Sequence, residues 1–477
     1  MRSVHVNKNL SSCYKNNRRI SDVLSSKQFI MTDSIDNSGK KIRDKVPRTS
    51  QGIFQLPPKR PTILAAINSS NYDRVKDLIP IRMSRMSVSP FAFYRGTADI
   101  MARDLASLPH TNIHVQAMGD CHLMNFGGFA TPERNLIFDA NDFDETLPAP
   151  WEWDVKRLAT SFVLAARHNN MRESDARQMA IDMAMSYRTA MAEYAQMNTL
   201  DLWYMKFEMH ELMNKTRSER VRIMLKEAMD KAEKTSHSSV FYKITQSVLG
   251  NFEIADQHPL VYHPIDLEKE KKKVHSFLTF YKNTLQDDRR YLFSQYNIID
   301  IALKVVGVGS VGTRCLVALL MNAKEEPLFL QVKEARTSVL EAYTEKSKYA
   351  HNGERIVQGQ RLVQAASDIF LGWSTDADNR HYYLRQLRDR KIAPDVEHFD
   401  KEILAAYAGL CGKVLARAHA KTGSGMLISS YMGKADIMDE AIGKFAVAYA
   451  DQTEKDYGEF LKAIKAGKLP VPAPAGK

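Results

Sequence analysis

The chain has 477 residues, 44% hydrophobic and 26% charged, the balance of an ordinary globular protein too long for one small core. Its net charge of +11 is concentrated at one end: residues 1–60 hold thirteen Lys/Arg against four Asp/Glu, so the remainder carries about +2 and is not a nucleic-acid surface. Apolar runs such as Cys315–Met321 are too short to cross a bilayer, the N-terminus lacks a signal-peptide core, and Cys13, Cys121, Cys315 and Cys411 lie too far apart for a zinc knuckle; a cytoplasmic protein is expected.

Residues 1–50, rich in Ser, Asn and basic side chains, read as a disordered arm. A helix is predicted from about Thr97, and "NIHVQAMGD" alternates like a strand that delivers the loop "MGDCHLMNFGG", Met118–Gly128. After the turn "TPER", a second strand, "RNLIFDANDFDE", ends in acids, and a helix runs from Trp153 to His168. Residues 171 to about 290 read as mostly helical and offer no chemistry. The texture turns β-rich near Ile298, is interrupted by a helix from about Glu354 to Phe370, and becomes helical again from about Phe399. The expected fold class is α+β: a large helical lobe over 51–297, a β-rich lobe over 298–392, helices over 393–467 completing the first lobe, and a frayed tail over 468–477.

Two groups of residues carry the chemistry. The first is acidic. Asp120, His122 and Asn125 share one loop, and Asp142, Asp144 and Glu145 end the next strand, which a hairpin would fold back beside it. A carboxylate near an attacking hydroxyl, with an amide oxygen and a further carboxylate for Mg²⁺, is the set phosphoryl transfer needs. Each residue also has a plainer reading: Asp120 as a turn cap, Asn125 as a loop amide partner, His122 as a structural histidine, Asp144 and Glu145 as solvated acids or holders of a second metal. Arg95, in "FYRG", is either an anion-binding side chain or a salt-bridge partner.

The second group is "GVGSVG", with Gly307, Gly309, Ser310 and Gly312, followed by "TRCLVALL", "KEEP" and "LFLQVKEA". A Rossmann loop would open a helix; here both flanks are strand-like, so the glycines lie at a hairpin bend where backbone amides can approach phosphate oxygens. Lys333 lies mid-strand, on the face opposite Val332. It is either an exposed edge lysine or, with the glycine bend, a phosphate ligand oriented by Glu354 or, failing that, Glu341.

Together these residues resemble the protein-kinase-like phosphotransferases of the aminoglycoside and choline kinase type. "MGDCHLMN" and "NDFDE" resemble that branch's H-G-D-x-H-x-x-N and I-D-F/W, and "APWEWDVKRLA" resembles its D-P-x-x-D-L-A. The resemblance implies Asp120 as catalytic base, Asn125 and Asp142 as metal ligands, Asp154 as the brace of the catalytic loop, and the glycines with Lys333 as the ATP-phosphate elements. Glycine bend and lysine follow the catalytic loop instead of preceding it, and "LARAHA" resembles the helix before that loop, so a circular permutation of a two-lobe kinase-like fold is implied. Met118 stands where that branch carries its first histidine, and Arg314 where a kinase flap carries an adenine-covering valine.

From about Lys45 to Asp456 the chain also resembles the bacterial domain-of-unknown-function family numbered 2252, on "FAFYRG", "GDCHLMNFG", "VGVGSVGTRC" and "GQRLVQAASDIFLGW" among others. The expected function is an ATP- and Mg²⁺-dependent phosphotransferase on an unknown hydroxyl-bearing acceptor. Protein AMPylation on the same fold and a non-catalytic nucleotide sensor are the alternatives.

Overall fold

The computed structural model describes residues 37–472, apart from 235–240, 243, 249–250, 264–266, 306 and 388–389. It is a mixed α+β fold with small antiparallel sheets. Helix α1 (Ala98–Ala106) precedes strand β1 (His114–Ala117), the hairpin β2 (Phe126–Ala130) and β3 (Leu136–Ala140), and β4 (Leu147–Pro150), which pairs back to β1. Long helices follow: α2 (Trp151–His168) and α3 (Glu173–Tyr194). Sixteen of the eighteen residues of α2 are buried, with Glu152 and Asp154 in its first turn and Arg167 and His168 in its last, charges that suit the helix dipole.

The segment read as helical also contains strands: β5 (Thr245–Val248), β6 (Asn251–Ile254) and β7 (Val261–Tyr262). They are short, and helix-like composition hides them until they find partners. β7 joins β8 (Tyr296–Lys304), β9 (Cys315–Asn322), β10 (Pro327–Glu334), β11 (Gly372–Thr375) and β12 (His381–Gln386) in one six-stranded sheet, ordered β11-β12-β10-β9-β8-β7. β10 is therefore central, with Lys333 opposite Cys315 on one side and Tyr383 on the other. The edge-lysine reading is excluded: Lys333 is 3% exposed. Leu328, Leu330 and Val332 face an apolar core with Tyr281 and Phe293, while Gln331 and Lys333 face a cleft.

Helix α4 (Asn352–Val363) packs on β11 and β12, ending earlier than the expected Phe370. The chain then returns to the helical body through α5 (Lys401–Thr422) and α6 (Ile437–Lys465), whose apolar faces join α2 and α3 in the largest core. The C-terminal end of α5 reaches β1, where Gln116 N donates to Thr422 Oγ1 at 3.2 Å.

The ends depart from expectation. The first thirty-six residues of the basic arm lie outside the described residues, but 37–45 are helical, Arg43 Nε donates to Tyr431 O at 2.8 Å and Arg48 Nη1 to Met432 O at 2.8 Å, so this part of the arm is tied to the fold. Leu469, in the expected tail, is buried beside Ile63, Ile67 and Phe460. Cys121, Cys315 and Cys411 are buried thiols, and Cys13 lies outside the described residues. No described helix is long and apolar enough to cross a membrane.

Candidate functional site

A cavity of about 1480 Å³ separates the six-stranded sheet from the helical body. Most of the residues singled out from the sequence line it: Arg95, Asp120, His122, Asn125, Asp142, Asp144, Gly307, Gly309, Ser310 and Lys333. They come from two distant stretches of chain, and each is delivered by a different local device.

The loop after β1 turns at Gly119, whose φ of +78° and close approach to the Glu145 carbonyl leave no room for a side chain. Asp154, 1% exposed at the start of α2, holds that turn: its carboxylate accepts from Met118 N at 2.6 Å and Gly119 N at 3.0 Å, and His419 Nε2 lies 3.3 Å away. One turn further along α2, Arg157 clamps Asp120, donating to Oδ1 from Nε at 2.8 Å and Nη2 at 2.5 Å. Asp120 lines the cavity, and its Oδ2 lies 3.8 Å from His122 Nε2. His122 Nδ1 accepts from Met124 N, and burial, then the charges of Arg95 and Arg157, hold its imidazole well below the usual range. Its Nδ1 thereby caps the short turn that carries Asn125.

Asn125 Nδ2 donates to Asp120 O at 2.8 Å, and Asn141 N donates to Asn125 O at 2.9 Å, so the β2–β3 hairpin returns the acidic segment to the loop. Asp144 is held from the sheet: Oδ2 meets Lys333 Nζ at 2.6 Å and Oδ1 accepts from Tyr383 Oη at 2.6 Å. Burial pushes its carboxyl up, but Lys333 outweighs that and holds it below the ordinary value. Asp142, 3.8 Å from Lys333, is pushed up by burial and by Asp144. Burial alone would lower the lysine; the two aspartates hold it well above its usual value.

The glycine bend connects β8 to β9 as an antiparallel turn. A Cβ on Gly309 would stand 3.2 Å from Arg95 O and 3.9 Å from Asp120 Oδ2, so the bend lies directly over the acidic loop. Arg74 supports it, donating from Nη1 to Gly309 O at 3.0 Å and to Val311 O at 2.5 Å, while Val75 N donates to Gly312 O.

Glu354 is not brought to the site. It begins α4 with its N–H on His351 Nδ1, it does not line the cavity, and the carboxylate partners of Lys333 are Asp142 and Asp144. α4 instead sends Arg355 inward, to the carbonyls of Thr146 at 2.6 Å and of Asp144 and Arg336 at 2.8 Å. Glu341, the fallback, does line the cavity. Arg314 is paired with Glu334.

Sequence reasoning missed Arg157, Tyr383 and Arg385. Helical spacing three residues beyond Asp154 marks the first, and strand alternation places the other two on the face shared with Lys333 and Gln331.

Residues 74–463 match the family described as an uncharacterized protein conserved in bacteria, DUF2252. The chain belongs to that family. The DUF2252 match begins at Arg74, under the glycine bend, and spans every cavity residue discussed above. Comparison with curated proteins and with solved structures gives no match.

Proposed function

We infer that this DUF2252 protein is an ATP- and Mg²⁺-dependent phosphotransferase with a circularly permuted, two-lobe kinase-like arrangement. The observation that carries the reading is the convergence of Asp120, Asn125, Asp142, Asp144 and Lys333 on one cavity roofed by a glycine bend. In the transfer, the acceptor oxygen bonds to the γ-phosphorus as its bond to the bridging oxygen breaks. ADP leaves with the electron pair, and the hydroxyl proton passes to Asp120. Arg157 orients that carboxylate, and the bend with Lys333 faces the phosphates, so the rate gain comes from positioning and electrostatics.

The donor set fits a magnesium ion. Mg²⁺ takes hard oxygen ligands, one or two carboxylates with phosphate oxygens and water. A cage of three or more His, Cys, Asp or Glu is absent among the described residues, and this mode does not need one. Asn125 and Asp142 would hold it, with Asp144 as the further carboxylate; the ion would neutralise phosphate charge.

Purified protein should consume Mg·ATP in the presence of hydroxyl compounds, and Asp142→Ala should abolish turnover without loss of the folded state. Wild-type turnover in that variant would sink the assignment. Label reaching an acceptor from γ-labelled ATP but not from α-labelled ATP marks phosphoryl transfer, whereas AMPylation leaves the α-label on protein and releases the γ-label in pyrophosphate.

A further inference from the structure

The cavity wall includes a cation, Arg95, that this chemistry leaves unused. Arg95 ends the short helix Pro90–Arg95 and lines the cavity beside Asp120. Its Nε is shielded from solvent with no hydrogen-bond partner, and among the described residues no hydrogen bond or ion pair reaches its other nitrogens. Its guanidinium leans on the Phe91 ring, 5.8 Å from the centroid. Arg82, Arg355 and Arg417 also have an orphaned Nε, but each bonds protein oxygens through its Nη atoms. Arg95 does not. A buried donor without an acceptor is costly, and a site that binds an oxyanion is where such a donor is kept.

The neighbourhood identifies which anion. Asp120 is matched by Arg157 at contact distance, so Arg95 is not needed as its hydrogen-bonded counter-ion. The Arg95 charge nevertheless lies close enough to Asp120 and His122 to act on both, with Glu397 a second carboxylate near it. The candidate phosphate lysine of the sheet meets the candidate metal acids of the β3–β4 turn, through Lys333 with Asp142 and Asp144. An anion on Arg95 is thus beside the carboxylate that meets the acceptor hydroxyl.

We propose that Arg95 anchors an oxyanion subsite for the acceptor, so that the molecule phosphorylated here carries a carboxylate or phosphate group near its reacting hydroxyl. The identification of the anion as part of an acceptor rests on the phosphotransferase reading; the subsite itself does not.

The test uses the full chain without nucleotide, titrated by calorimetry with inorganic phosphate and, in parallel, acetate. Saturable binding of at least one is expected. Arg95→Gln should weaken it at least about tenfold, whereas Arg95→Lys should keep it within about threefold. The tighter probe tells whether the acceptor group is a phosphate or a carboxylate. No saturable binding in the wild type, or binding unchanged in Arg95→Gln, overturns the proposal. The same variants are then titrated with Mg²⁺ and a non-hydrolysable ATP analogue. Arg95→Gln should leave that affinity within about twofold, and its loss there would make Arg95 a nucleotide ligand and overturn the subsite. A wild type that binds phosphate through Arg95 but no nucleotide would instead sink the phosphotransferase reading and leave the subsite standing.

Discussion

Asp154 shows how one buried carboxylate fixes the geometry of another, the proposed base Asp120. It makes no contact with the cavity, yet two backbone N–H groups of the Asp120 loop end on its oxygens. Asp154→Ala would leave both donors buried and unmatched, at about 2–4 kcal/mol in total. Urea unfolding should report that loss. Because the loop would relax while the sheet side stays intact, kcat should fall with little change in the KM for Mg·ATP. Asp120 needs the same support from Arg157, whose ring-facing position over Tyr94, 4.4 Å from the centroid, fixes the guanidinium plane.

At the level of elements, polar side chains help tie the short strands β6 and β7 to β8. His263, next to β7, bridges Asp256 at 2.7 Å and the buried Asp300 of β8 at 2.9 Å, and Asp300 also accepts from Ile254 N on β6. Burial alone would lower the imidazole pKa, but the two carboxylates outweigh it and raise the value. A folded-state pKa above the unfolded one means stability that is complete below about pH 6.5 and is lost as pH rises through the folded value. Thermal midpoints between about pH 6 and 9 should therefore fall in the wild type relative to His263→Gln. Equal slopes for the two proteins would refute the bridge.

Across the whole molecule, sheet and helical body are held in register by a few long-range contacts at the cleft. Lys333 of β10 meets Asp144, 189 residues earlier in the chain. Gly128 of β2 exchanges backbone hydrogen bonds with Ile392, just past the sheet. Arg355, from the helix packed on the sheet, gathers three carbonyls around the acidic turn. Arg355→Met would strip those carbonyls of a charged donor, so a loss of about 2–4 kcal/mol is expected. Hydrogen exchange at residues 144–146 should quicken in step. Protection unchanged there would show that the turn does not depend on the arginine.

The acids of the loop and the second strand, the hairpin nature of the glycine bend, and the helix that begins near Trp153 were legible in the sequence, because spacing, alternation and turn chemistry are local properties. Local pattern also placed Lys333 on a strand face away from Val332. Tertiary structure alone decided the partners: Asp120 with Arg157, Lys333 with the aspartates instead of Glu354, Arg74 beneath the glycines, and the end of α5 against β1. Such pairs join residues tens to hundreds of positions apart. A charge can be read from the sequence, but which opposite charge it meets depends on how the chain closes and what the packing leaves buried. The same holds for Arg95. Its identity was visible in "FYRG"; its lack of a partner became visible only once the chain had folded around it.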